Sequence, residues 1–173
     1  MVVKLICCLT LLQVLFIPCT GAQNDVNHVV YANIIYRFTK YINWPEDKKA
    51  GNFVIGVVGN TPLYDELKNF VASKTVGNQK IVLRQYSSSS SDYNCHILFI
   101  GESATRSLKK VVAATEGSST LLVSEGLGLA RKGSCINFSL EDEHLKLEIN
   151  KNNIEKRNLN IASELLSLGV VVK

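Results

Sequence analysis

Between Val29 and Ile42 the apolar residues Val30, Tyr31, Ile34, Ile35, Phe38, Tyr41 and Ile42 return at three- and four-residue steps, with Asn33, Arg37 and Lys40 set apart from them. That period predicts an amphipathic helix with a wide buried face. Pro45 stops it and biases Trp44 away from helical backbone. The aromatic residues here read mainly as core that fixes the helix to a sheet. A second reading leaves Tyr36 or Trp44 exposed as a contact residue, because aromatic side chains are enriched at protein interfaces.

The period then changes. Phe53 to Gly59 is a continuous apolar run, as in a strand covered on both faces. Thr61 is placed to cap a following helix, and Pro62 suits a first helical position. Leu63, Leu67, Phe70 and Val71 mark that helix. Lys80 to Tyr86 reads as a second strand, and the serine run that follows as a solvated connector. His96 to Gly101 is a third strand, Glu102 to Thr115 a helix stopped by Gly117, and Ser119 to Gly126 a fourth strand. Gly126, Gly128 and Gly133 punctuate a turn. Cys135 to Leu140 and His144 to Asn150 alternate apolar and polar residues, which predicts an antiparallel hairpin. One or two short helices close the chain. Alternating strands and helices predict a single-domain α/β three-layer sandwich. Its sheet is mostly parallel, with helices on both faces and a C-terminal antiparallel hairpin.

The first 22 residues stand outside this pattern. Lys4 precedes an uncharged run from Leu5 to Ile17, and Thr20 and Ala22 supply the small residues of a cleavage site. This is the plan of a secretory signal peptide, and the run is short for a bilayer span. The expected division is a leader over 1–22 and one domain over 23–173, exported and without a membrane span after cleavage. Removing the leader takes Lys4 away and lowers the net charge of +4 by one. The remaining basic residues are scattered, with no stripe of the kind that binds nucleic acid.

Export also changes the cysteine count. Cys7, Cys8 and Cys19 leave with the leader, so Cys95 and Cys135 are the two that remain. Each opens an apolar strand-like run. They either bridge neighbouring strands, which needs Cα atoms within about 7 Å, or stay apart as small buried hydrophobes. His28, His96 and His144 are far apart and there is no C-x-x-C, so no metal or other cofactor is expected.

Gly101-Glu-Ser-Ala-Thr105 echoes a nucleophile elbow but lacks its last glycine, and Asp142 and His144 are too close in sequence to complete a triad on Ser103. Gly126-Leu-Gly lacks the third glycine of a dinucleotide fingerprint. No enzyme is expected. The ends of the first and third strands matter more. Asn60 and Thr61 after one, and Glu102 and Ser103 after the other, lie where open parallel sheets form a ligand crevice.

The segments VVYANIIYRFTKYINWP, FVIGVVGNTP, CHILFIGES, TLLVSEGLGLARKGSCINFSLEDEHLKLEIN and LNIASELLSL, in that order, resemble successive blocks of the YfiR-like family of periplasmic proteins. The resemblance implies a small secreted α/β domain without catalytic activity. It implies a regulator that binds the outer part of an inner-membrane diguanylate cyclase and holds it off, upstream of cyclic-di-GMP and biofilm formation. It also implies dimers and cysteines whose redox state affects folding. Cys95 matches the family's strand cysteine, although the best-understood member has two disulfides and this chain keeps two mature cysteines. Some relatives work with sensor kinases, which keeps a second expectation open: a periplasmic solute-sensing or solute-binding domain using the crevice at Asn60 and Ser103.

Overall fold

The computed structural model describes residues 22–142 and 144–173. Residues 1–21, which carry nearly all of the expected leader, lie outside the described residues. The first helix, α1 (Ala22–Tyr41), starts a full two turns before the apolar period shows itself. It runs directly into a two-residue strand, β1 (Ile42–Asn43), and Trp44-Pro45 then turns the chain through a short 3-10 segment at Glu46–Lys48.

The strands that follow are β2 (Phe53–Val58), β3 (Thr75–Val76), β4 (Gln79–Tyr86), β5 (Ile97–Ile100), β6 (Leu121–Glu125), β7 (Ile136–Glu141), β8 (His144–Ile149), β9 (Asn160–Ile161) and β10 (Val170–Val171). Between them lie α2 (Leu63–Val71), α3 (Leu108–Ala114), α4 (Lys151–Glu155) and α5 (Ser163–Leu166). Eight strands form one sheet in the order β10-β8-β7-β6-β5-β2-β4-β3, and β1 pairs separately with β9. From β4 across to β7 every pairing is parallel; β7 with β8 and β3 with β4 are antiparallel, as the hairpin alternation predicts for β7 and β8.

Register sorts the side chains onto two faces. Ile55 is level with Ile97 and Leu83, Phe99 with Val123, and Val123 with Ile136. Two residues on, Phe138 shares that face and receives α1: Tyr31 stacks on it at 4.6 Å and Phe38 at 6.2 Å between ring centroids. On the other face α3 and α4 meet. There Arg157, just past α4, donates to the Thr115 carbonyl at the end of α3, and Cys135 Sγ lies 3.6 Å from the Asn153 carbonyl.

Three details depart from the sequence pattern. The stretch predicted as one helix over Glu102–Thr115 is a 3-10 segment to Ser107 and an α-helix only from Leu108. No helix joins β4 to β5; the serine-rich segment makes that crossover itself. It is held by Tyr93, whose hydroxyl donates to Ser87 O (3.2 Å), and by Lys110, which donates to Ser89 O (3.0 Å). The cysteine-bearing strands are not neighbours, because β6 lies between β5 and β7. Two strand spacings are about 9–10 Å, beyond disulfide reach. Cys95 and Cys135 are accordingly separate buried free thiols. Burial pushes Cys95 up to about 12 and Cys135 up to about 11, so neither is a ready thiolate.

Candidate functional site

The crevice residues come together. With β4 and β5 flanking β2, the chain reverses its direction of strand addition at β2 and β5, which makes their carboxyl ends a topological switch point. Asn60 and Ser103 are exposed there, and Thr61 is buried. Thr61 Oγ1 accepts from the Leu63 N–H at 3.3 Å, and Ser103 Oγ donates to Asn60 O at 3.4 Å. The two loops pack directly on each other. A Cβ at Gly59 would lie 2.9 Å from Ser103 Oγ, and one at Gly101 would lie 3.3 Å from Thr61. Glu102 is exposed and adjoins Glu125 at the end of β6. Burial raises the Glu125 carboxyl above its usual range, and Tyr31 beside it is pushed up to about 12, by burial first and Glu125 second. His28 Nδ1 is buried there without a hydrogen-bond partner among the described residues.

The two aromatic candidates separate. Trp44 is only 5% exposed, so it is not a free contact residue. Its ring meets Phe53 edge-on at 5.1 Å, and Nε1 donates to the His96 carbonyl. His96 completes this unit. Its Nδ1 accepts from the Val54 N–H at 3.0 Å, which leaves the proton on Nε2 to donate to the Lys48 carbonyl at 2.7 Å. Burial holds the imidazole below its ordinary pKa, against the hydrogen bond to the Lys48 carbonyl, which favours a higher one. Tyr36 keeps partial exposure; its ring lies edge-on to Phe70, and its hydroxyl donates to Thr75 O at 3.4 Å.

A third region was not foreseen. An apolar groove of about 210 Å³ runs between α1, β8 and α5. Ile34, Phe38 and Tyr41 are one stripe of α1 at four- and three-residue spacing, Leu145 and Leu147 are the same face of β8, and Leu165 and Leu168 close the far wall. Arg37 stands on the lip, held by Asn33 Oδ1 at 2.9 Å. Beside the groove runs the outermost strand, β10, paired with β8 on one side only. Gly169 allows this approach, since a Cβ there would sit 2.6 Å from the Leu147 carbonyl oxygen. Leu168, Val170 and Val171 are each more than half exposed. Soluble domains seldom leave such a contiguous apolar patch without a use for it. The sequence signal was present in the leucines of the half-exposed hairpin and in the apolar C-terminal tail. Only the fold shows that they face α1.

No helix among the described residues is long and apolar enough to cross a membrane. No curated protein matches the sequence. The family model described as YfiR/HmsC-like matches residues 28–170, which takes in most of α1, the sheet up to the first residue of β10, and the residues that line the groove. On that match, and with the α/β sheet it spans, the chain belongs to the YfiR/HmsC-like family.

Proposed function

We propose that this protein is an exported, non-enzymatic regulator whose groove between α1, β8 and α5 binds the periplasmic part of an inner-membrane signalling protein, a diguanylate cyclase, and holds it inactive. Family membership supports a periplasmic regulator of cyclic-di-GMP signalling. The observation that carries the docking site is the groove itself, with its walls of leucine and aromatic side chains and its exposed edge strand. An apolar segment laid into such a groove gains roughly 25 cal/mol for each Å² it removes from water. An open edge strand adds backbone hydrogen bonds to an extended partner. Arg37 at the lip gives the contact a polar rim.

The test pairs capture with a cellular readout. Purified protein is expected to retain a membrane cyclase from solubilised membranes, and deletion of its gene to raise cyclic-di-GMP. Leu168→Glu with Val170→Glu, both at exposed positions, is expected to lose the partner while the melting temperature stays near that of the parent. If no membrane partner is captured, and a small metabolite raises the melting temperature instead, a solute-sensing domain working with a sensor kinase replaces this reading.

A further inference from the structure

On the opposite face of the sheet, a groove of about 550 Å³ lies between α3 and α4. Its base holds Arg157, which is 7% exposed. A buried guanidinium ordinarily faces a carboxylate, because desolvating an unpaired charge is expensive. Arg157 forms no ion pair among the described residues; the Cys135 thiol and, farther off, Glu116 are the groups that act on it. Nη1 donates to Thr115 O at 2.9 Å and to Thr115 Oγ1 at 3.0 Å, which caps the end of α3. Nε and Nη2 donate to no oxygen among the described residues. Lys109 and Lys156 stand exposed on the rim, and neither forms an ion pair among the described residues. Among the described residues Glu116 is the one carboxylate lining the groove, against Lys109, Lys156 and Arg157, which leaves an excess of two positive charges.

We propose that this groove is a binding site for a small phosphate-bearing anion, free phosphate or a phosphomonoester, with Arg157 as the fixed donor and Lys109 and Lys156 as the mobile ones. With Nη1 committed to Thr115 and Cys135 beside the guanidinium, Arg157 offers the anion a fixed positive charge and a remaining donor edge, and the lysines add point charges from the solvent side. The Thr115 carbonyl and hydroxyl at the end of α3 hold the guanidinium in place before any ligand arrives, which lowers the ordering cost of binding. Glu116 opposes the anion, so its charge sets an upper limit on affinity.

The experiment measures melting temperature and binding heat on the purified protein. Inorganic phosphate, glycerol 3-phosphate and chloride are compared at matched ionic strength. Either phosphate compound is expected to raise the melting temperature by a few degrees over chloride, and a larger rise with glycerol 3-phosphate identifies the ester as the ligand. K109Q with K156Q, both surface changes that leave the fold intact, is expected to weaken phosphate binding about tenfold. E116Q is expected to strengthen it severalfold. Equal effects of phosphate and chloride would overturn the proposal. So would unchanged affinity in the lysine pair, or weaker binding in E116Q.

Discussion

The middle of the sheet and its β8–β10 edge are built from the same residue types and use them differently. Every residue of β2 and β5 is buried. Along β8 burial alternates until Ile149, and both residues of β10 are exposed. In the middle, leucine, isoleucine and phenylalanine pack against neighbours on both faces and supply the hydrophobic free energy of folding. At the edge, Leu168, Val170 and Val171 stay in water although they are as apolar. Apolar area left in water adds nothing to folding, and these residues form the exposed edge of the groove proposed above as the docking site.

The comparison is broken most severely at its centre. Phe138→Ala removes the ring on which Tyr31 and Phe38 both stack. It is expected to destabilise the protein by about 3–5 kcal/mol, seen as a lower urea midpoint. A comparable test lies where the Trp44 ring packs against the start of β2: Trp44→Ala is expected in the same range of about 3–5 kcal/mol, with loss of the contacts to Phe53 and His96. A melt of Trp44→Ala within a degree of the parent would contradict its place in the core.

Gly169→Ala sharpens the contrast. The new Cβ collides with the Leu147 carbonyl, so β10 is expected to separate from β8 at a cost of about 1–3 kcal/mol. Amide exchange is expected to speed up in β10 and along β8, while the exchange of β2 and β5 stays slow.

A pH titration gives a smaller effect, confined to the Trp44 end. The folded-state pKa of His96 lies below its ordinary value of 6.5, so the unfolded chain takes up the proton first. Stability is therefore full above about 6.5 and falls as pH drops from there toward the lowered folded value. Protonation also removes the Nδ1 acceptor of the Val54 N–H. His96→Gln is expected to flatten this part of the stability profile; an unchanged slope would remove His96 as its source.

The smallest effect is at the thiols. Both are buried and poorly ionised, so native protein is expected to react slowly with a thiol reagent. Unfolded, unreduced protein is expected to show Cys95 and Cys135 both reactive. Failure of that pair to react would mean that they are oxidised, against their separation by β6.

Local pattern by itself determined a good deal. The unbroken apolar runs of β2, β5 and β6 announced buried parallel strands, and the alternation from Ile136 to Ile149 announced the hairpin. Each signal depends on residues a few positions apart, where periodicity reports directly on burial. The blocks that resemble the YfiR-like family were legible on the same local terms. Tertiary structure alone decided what depends on which strand lies beside which. It set β6 between the two cysteines and closed Ser103 onto Asn60. It also buried Arg157 against the end of α3, and brought Leu147 and Leu168 opposite Ile34 and Phe38 to form the groove. Those contacts join segments far apart in sequence. Their geometry follows from strand order and register, which no local run of residues encodes.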